Sequence, residues 1–551
     1  MTSAVAPLRY GSFRTLWVAS MLSAFGTFIQ SLSSAQLMLD LTGSNTWLGM
    51  MVASTSLPLL FFGLAAGALA DMFDRAKLML LAQGIMGGSA LAMAILTWTD
   101  VITPPLLLGL GFVLGTGVAL NLPTWQALLP DMVPRGLIAS AVALQSAAFN
   151  VARAVGPALG GLIYAVFGAA VGFGVNALTY GFVIAGLLMV MGTFERRERD
   201  PAPLGTAILL GIRYARFTRA FRNLLLLVSL FAVTSSVVQS VLPGHNLAIG
   251  GTPGTLGILL GAMGAGALVA TAVRQRFIDR FQTWAPVLTI CSFGLVGIGL
   301  GLSTNIATAG IFMFFSGAFW VLTLTNLNAT AQLMAPEWIR GRAMSLYSFS
   351  FVGIMPIGSI ISGILADAVG TGTAIIILCS GSVVLGVLVP LFRVPSLDEI
   401  ESPEFTADRP TPSHEETVEG GPVLILNTWK IDDEDFDEFT AVMNLVRLVR
   451  LRTGAYRWRL LRNVSEPTRL TELFATGSWE EHLAQHRRID DASADIIARA
   501  RSFDRAGGPV TRHLISVDVE DPPDFAELVI THEVMHQTDG SIPTMADEEV
   551  D

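Results

Sequence analysis

For its first 392 residues the chain alternates between long apolar runs and short charged punctuation. No Asp, Glu, Lys or Arg occurs in 15–39, 41–70, 78–99, 101–130, 136–152, 154–194, 223–273, 281–336, 343–366 or 368–392. A helix that crosses the hydrocarbon core of a bilayer needs ~20 mostly apolar residues. Three of the runs (154–194, 223–273, 281–336) are long enough for two crossings, or for one and the end of another. Only helices and closed barrels satisfy every backbone polar group in lipid, and apolar runs this long without alternation are helices. The pattern predicts twelve spans in an all-α polytopic membrane protein.

Beyond 393 the period changes. Residues 393–420 are rich in Pro, Glu and Thr and read as a linker. Val423–Trp429 reads as a strand, followed by a helix with Phe436, Phe439, Val442, Met443 and Val446 at helical spacing. Alternating strands are expected near 455–464 and 469–477, a helix from Trp479, and a last strand at Leu514–Val517. The order β-α-β-β-α-β is that of a ferredoxin-like α+β domain, placed at 421–520. Residues 521–551 read as an acidic, disordered tail.

Composition supports the division. Hydrophobic residues make up 52% of the chain and Gly 54 of 551, and Gly is favoured where membrane helices approach closely. Cys291 and Cys379 fall in different spans and read as small buried hydrophobes rather than a disulfide or metal site. The first 13 residues lack the apolar core of a cleavable signal, so the first span is expected to be retained. Residues 393–551 carry 16 basic and 33 acidic residues, a net charge of −17, whereas the first 392 have 18 and 11.

With the N-terminus in the cytoplasm, 17 of those 18 bases fall in cytoplasmic loops, including Arg9, Arg14, Arg75, Lys77 and Arg135, the run from Arg196 to Arg222, Arg274, Arg276, Arg280, Arg340 and Arg342. Bases in short loops favour the cytoplasmic side, which predicts cytoplasmic N- and C-termini in a cell membrane. The basic connection at 193–222 then separates two six-helix halves, 1–192 and 223–392. The halves resemble each other: Gln126-Ala-Leu-Leu-Pro130 matches Gln332-Leu-Met-Ala-Pro336, and Gly161–Gly168 matches Gly363–Gly370. Internal repeats of this size mark secondary transporters, whose substrate site lies between the halves.

The loop after span two reads Gly67-Ala-Leu-Ala-Asp71-Met-Phe-Asp-Arg75-Ala-Lys77. It resembles the cytoplasmic signature of the major facilitator superfamily, although Met72 stands where a base is usual and Asp74 where Gly is usual. Asp71 at a helix end can cap a neighbouring N-terminus or pair with a base on the opposing half, while Arg75 and Lys77 also anchor the loop. Span five carries Asn150-Val-Ala-Arg153-Ala-Val-Gly156-Pro157-Ala-Leu-Gly160-Gly161. Pro157 removes a backbone hydrogen bond, and the three glycines leave a smooth face for a neighbouring helix. This stretch resembles the antiporter motif of exporters, and with Pro130–Arg135 it is similar to the enterobactin-exporter-like branch, described broadly as secretion effectors. The resemblance implies an alternating-access exporter of small amphipathic molecules (drug, siderophore or secondary metabolite), and Asp71, Arg75, Arg153, Gly156, Pro157, Gly160 and Gly161 are the candidate transport or gating residues.

Arg153 is the one base inside a span, ~15 residues in and therefore ~22 Å along the helix axis. A base at that depth costs ~2.5–3.5 kcal/mol even on the lenient insertion scale, so it must face protein or a water-filled cavity. It reads either as a contact for anionic substrate or a gate, or as a structural tie. Gln30, Asn121, Gln126, Gln145, Asn150, Gln239, Asn326 and Asn328 are the candidate cavity polars. No Asp or Glu lies deep in a span. Asp40, Asp100 and Asp367 belong at outer ends and His245 near the outer end of span seven, which leaves the coupling ion open.

In the tail, Trp479-Glu-Glu-His482-Leu-Ala-Gln-His486 resembles the antibiotic-biosynthesis-monooxygenase-like domain, a dimeric α+β barrel. That implies a homodimer through the sheet, with Val423, Ile425, Trp458 and Leu473 as candidate face residues, and a polar role for Asn427, Trp429 and Trp458. His482 and His486 share one helix face, but without a third ligand they read as a core-edge or solvated pair, with no metal and no cofactor expected. Two functions compete: an exporter with an accessory domain, acting on small molecules in the bilayer and not on nucleic acid, and a membrane-tethered oxygenase or haem-binding enzyme. Twelve spans in two similar halves exceed what anchoring requires, which favours the non-enzymatic exporter.

Overall fold

The computed structural model describes residues 5–193, 204–336, 338–395, 422–486 and 488–515. The proposed acidic tail, most of the linker, and Arg196, Arg197 and Arg199 lie outside them. The chain separates into two compact units, Met1–Pro403 and Glu404–Asp551.

The first unit is helical. Its first half comprises α1 (Gly11–Thr42), α2 (Asn45–Met72), α3 (Arg75–Trp98), α4 (Pro104–Met132) and α5 (Ile138–Val190). After α6 (Leu204–Phe217) come α7 (Arg219–Ser240), α8 (Leu242–Ala248), α9 (Pro253–Phe281), α10 (Ala285–Gly301), α11 (Ile306–Met334), α12 (Arg340–Ser348), α13 (Met355–Val369) and α14 (Thr371–Leu388). A π-helical turn at Phe349–Gly353 joins α12 to α13. Among the described residues ten helices are long and apolar enough to cross a membrane. That number takes α5 as one helix and leaves out α10, which is apolar but has 17 residues.

Two glycines explain how the apolar runs fold back. Inside α5, Gly168 has φ 78° and ψ 179°, which breaks the helix into two. Gly370 has φ 87° and ψ 153° and separates α13 from α14 in the same way. Both conformations are open to Gly and strained for other residues. They terminate the two segments, 161–168 and 363–370, that match each other in sequence.

In the first half α1 packs on α5, and α3 and α2 pack on α4; in the second half α9 packs on α11, and α10 on α14. The halves meet along two helix pairs, α5 with α9 and α2 with α13. Glycine permits both approaches. A Cβ at Gly161 would lie 2.6 Å from the Pro253 carbonyl and 3.0 Å from Gly257 Cα, and one at Gly363 would lie 2.9 Å from Thr46 Cα. The connection read as a loop contains α6, which buries Leu210 and Tyr214 against the second half, and Tyr214 Oη donates to the Met334 carbonyl at 2.7 Å.

The second unit has strands β1 (Val423–Lys430), β2 (Arg457–Arg462), β3 (Arg469–Thr476) and β4 (Val510–Ile515), with α15 (Phe436–Thr453) after β1 and α16 (Trp479–His486) and α17 (Asp491–Ser502) before β4. The strands form one antiparallel sheet in the order β2-β3-β1-β4. Along β1, Val423, Ile425, Asn427 and Trp429 are buried while Leu424, Leu426 and Thr428 are partly exposed. The face assignment made from sequence is corrected by this register. Val423 and Ile425 are buried in the core, and Trp458, opposite Phe474, shares their face; of the four residues named, only Leu473 lies on the open face, opposite Leu426.

Candidate functional site

A cavity of about 420 Å³ lies between the halves of the first unit. The first half contributes Thr27, Gln30, Ser31 and Ser34 from α1, Thr55 from α2, and Arg153, Pro157, Asn176 and Tyr180 from α5; the second half contributes Gln239, Pro243, Leu256, Met263 and Trp320. Most of the wall is apolar, with a few convergent polar groups, the usual make-up of a small-molecule pocket.

One wall is a hydrogen-bonded cluster between α1 and the later part of α5. Asn176 Nδ2 donates to Gln30 Oε1 at 2.5 Å, Thr179 Oγ1 donates to Asn176 Oδ1 at 3.0 Å, and Thr27 Oγ1 lies 3.5 Å from Tyr180 Oη. Gln30 Nε2 donates to the Met93 sulfur at 3.4 Å. Buried amides retain their hydrogen bonds because an unmade one is costly, so this cluster fixes the orientation of the groups that face the cavity.

Among the described residues Arg153 is the only charged side chain in the lining. Its guanidinium sits 5.1 Å from the Phe149 ring and 5.3 Å from the Trp320 ring. A desolvated contact of this kind contributes ~0.5–2 kcal/mol, which offsets much of the cost of burying the charge. Trp320 comes from α11, so the base on the first half is held partly by the second. Among the described residues no ion pair to Arg153 is present, and its fork is open to a ligand acceptor.

The glycine face of span five is used in two directions. A Cβ at Gly156 would lie 2.7 Å from Phe28 Cβ, and one at Gly160 would lie 3.0 Å from Ile29 Cα, so these two serve the packing of α5 on α1. Gly161 and the Pro157 carbonyl instead meet Gly257 of α9 across the half boundary. At the basic end, Arg75 pairs with Asp131 at 2.8 Å and Asp74 caps α3, accepting from Ala76 N and Lys77 N. The side chain of Asp71 lies outside the described residues.

Of the polar residues named from sequence, Gln30 and Gln239 line the cavity. The other six are not among the described lining residues. Asn121 accepts from Gln83 at 3.0 Å, Gln332 donates to Asn328, Asn326 is buried, Gln126 is exposed, and Gln145 and Asn150 lie outside the lining. Asn176, Tyr180 and Trp320 were missed. A lone Asn within the charge-free run 154–194 was the available signal for Asn176. His245 lies on α8, beyond the end of α7, and its Nε2 is within 3.0 Å of the Leu300 carbonyl. Asp40 accepts from Tyr164 Oη at 2.5 Å.

In the second unit Glu472 is fully buried and meets Arg450 Nε (3.2 Å), Trp458 Nε1 (2.9 Å) and Asn427 Nδ2 (2.7 Å). Trp429 packs on Phe439 in the core. Asn427 and Trp458 are thus occupied in a closed network. His482 is buried, with its Nε2 3.1 Å from His513 Nε2 and its ring beside those of His486 and Trp479. Burial, then the neighbouring His486, His513 and Arg450, push the His482 imidazole down to about 3; burial and Arg450 push His486 down to about 4. Among the described residues no group of three or more His, Cys, Asp or Glu is placed to hold a metal ion.

Comparison with known proteins agrees with this architecture. The family profile described as transmembrane secretion effector matches residues 2–521. The chain is 24% identical over 415 residues to the multidrug efflux pump Tap of Mycobacterium tuberculosis, covering 72% of this chain and 96% of that protein. It is 24% identical over 372 residues to macrolide efflux protein A of Streptococcus pyogenes, covering 65% and 90%, and 24% over 355 residues to the staphyloferrin A transporter of Staphylococcus aureus, covering 64% and 89%. Among solved structures it resembles a bacterial homologue of the human lysosomal transporter Spinster, in an inward-facing and occupied conformation (TM-score 0.58, 13% identity, 72% of this chain and 99% of that one). It also resembles a D-xylose-proton symporter (TM-score 0.55, 15% identity, 70% and 100%).

Proposed function

The chain belongs to the transmembrane secretion effector family, and on that footing we propose that it exports small amphipathic molecules by alternating access of its two halves. The observation that carries this reading is the cavity, walled by both halves, mostly apolar, and lined by Arg153, which has no ion pair among the described residues. A water-soluble cargo with a large polar surface would leave the apolar wall unsatisfied; an amphipathic one matches it. Efflux and siderophore transport by relatives at 24% identity support the same class.

We count twelve crossings. Ten are the long helices, the division of α5 at Gly168 adds one, and α10 is the twelfth. Along the sequence, 17 of the 18 bases before 393 lie near the junctions between spans that fall on one side when the N-terminus is inside, which supports assigning that end and both termini to the cytoplasm. The opposite end, free of Lys and Arg, faces outward.

The small domain is assigned an accessory role. The family profile extends through it, which supports its being part of the transporter's own architecture. Its strand order is that of a ferredoxin-like fold. The open sheet face places Leu424, Leu426 and Leu473 at its centre, with Leu461 and Leu514 exposed at either side. We assign that face to a second copy of the domain. The oxygenase alternative loses support because Asn427 and Trp458 are consumed by Glu472.

The test is efflux from cells lacking and expressing the protein, against a panel of amphipathic drugs and siderophores. Lower accumulation of at least one compound, abolished when the membrane gradient is collapsed, supports secondary export. Turnover of a compound by the purified protein without movement across a membrane would favour the enzyme.

A further inference from the structure

We propose that Asp367 is the latch that holds the two halves together at the base-free end, and that its release is a required step of each transport cycle. The inference rests on the alternating-access reading and adds a gating residue to it.

Asp367 lies in the last turn of α13, in the second half, and is exposed at the rim. Its carboxylate reaches across the half boundary to the first turn of α2. Oδ1 accepts from the Asn45 backbone N–H at 2.7 Å and from Asn45 Nδ2 at 3.0 Å. Oδ2 accepts from Ser44 Oγ at 2.6 Å, the Thr46 N–H at 2.9 Å and Thr46 Oγ1 at 2.7 Å. All five bonds join residue 367 of one half to residues 44–46 of the other.

The chemistry of α2 explains the fit. The first N–H groups of a helix have no partner within it and carry the positive end of its dipole. Ser44, the N-cap of α2, accepts a long bond from Trp47 N–H at 3.5 Å and donates its own proton to Asp367. The cap of α2 is therefore shared, with Ser44 taking the Trp47 N–H and the second half's Asp367 taking those of Asn45 and Thr46. No Lys or Arg is present in the sequence of the loops at this end, and the carboxylate is held by neutral donors, the Asn45 and Thr46 N–H groups, the Asn45 amide and two hydroxyls. Bonds to an ionised acceptor are roughly twice as strong as neutral ones.

The neighbouring packing fixes the latch in register. Gly363, one turn before Asp367, rests against Asn45 and Thr46 backbone, and Gly49 rests against the Ser359 carbonyl. On the far side a Cβ at Gly244 would meet Asn45 Oδ1. The two helices touch backbone to backbone, so a small separation of the halves breaks the five bonds together. A contact of this kind is two-state: made when this end is closed, absent when it opens.

The full-length protein tests the proposal, with spin labels at Val101 and Leu302 reporting separation across the base-free end. In Asp367→Asn, which keeps one acceptor and loses the charge, and in Asp367→Ala, the ratio of closed to separated populations is expected to fall on the order of tenfold. Ser44→Ala with Thr46→Val removes hydroxyl donors from the other half. This pair is expected to shift the same populations, and to add little when combined with Asp367→Asn, because the groups act as one unit. Normal closed populations in both sets of variants, in protein that inserts and folds, would overturn the latch. So would additive shifts. A wild-type protein with a single fixed distance under every condition would instead contradict alternating access itself.

Discussion

Replacing Arg153 tests whether the cavity selects its cargo by charge. Arg153→Ala removes the only charge among the described lining residues and the two ring contacts to Phe149 and Trp320. If the open guanidinium fork receives an anionic group of the cargo, a charge-assisted hydrogen bond of ~1.5–3 kcal/mol is lost, which is roughly a 10- to 150-fold weakening. A neutral cargo of similar shape loses only the apolar contact with the arginine stem, on the order of 1 kcal/mol for a methylene or so, or about fivefold. Arg153→Lys keeps a point charge but not the planar fork or its stacking on Trp320, so it recovers part of the anionic affinity and little of any bidentate geometry. The assay is efflux of paired anionic and neutral compounds in the wild type, Ala and Lys variants, normalised to protein in the membrane. Equal losses for both classes, with reduced membrane yield, would show Arg153 to be a structural tie and refute the selection argument.

Other outcomes follow from the same geometry. Asp71→Asn is expected to slow transport at normal membrane abundance; unchanged rates at equal expression would remove Asp71 from gating. Gly161→Leu places a side chain where a Cβ already meets the Pro253 carbonyl at 2.6 Å, so it should prevent closure of the α5–α9 contact and abolish net transport; normal efflux would disprove the need for that contact. In the small domain, Glu472→Gln leaves Arg450 buried without its charge partner and should cost ~3–5 kcal/mol, read as a lower denaturant midpoint. His482 and His486 are held neutral when folded, with values of about 3 and about 4 against 6.5, so the unfolded chain binds more protons between these values. Stability of the domain should therefore be full above about pH 6.5 and decline as pH falls toward 4; a flat stability profile over that window would contradict the buried-histidine geometry. A soluble fragment of residues 421–520 should sediment as a dimer at micromolar concentration, and Leu426→Arg should make it a monomer.

The membrane half was readable because its signal is coarse. Long charge-free runs and a clear asymmetry of bases need no knowledge of packing, and Gly168 and Gly370 mark the same turn in both repeats by residue type alone. The cavity was harder to read. Gln30 and Asn121 are indistinguishable in sequence, yet one faces the cavity and the other is absorbed by Gln83 on a neighbouring helix. Helical rotation decides between them, and an apolar run with small residues on every side carries no period from which to fix it. The same limit misled the sheet. Val-Leu-Ile-Leu in β1 is apolar on both faces, so alternation could not say which pair was buried. The α6 segment was hidden by its arginines, although its Leu210 and Tyr214 are buried.

Alternation of the two ends is the most direct test of the central claim. With Cys291 and Cys379 replaced by alanine, one spin-label pair at Val101 and Leu302 spans the base-free end, and a second at Phe73 and Trp284 spans the basic end; all four are exposed. Distances are measured in lipid with and without an exported compound and a proton gradient. Alternating access predicts opposite changes, one pair separating as the other approaches. Two pairs that remain fixed, or that separate together, would contradict it.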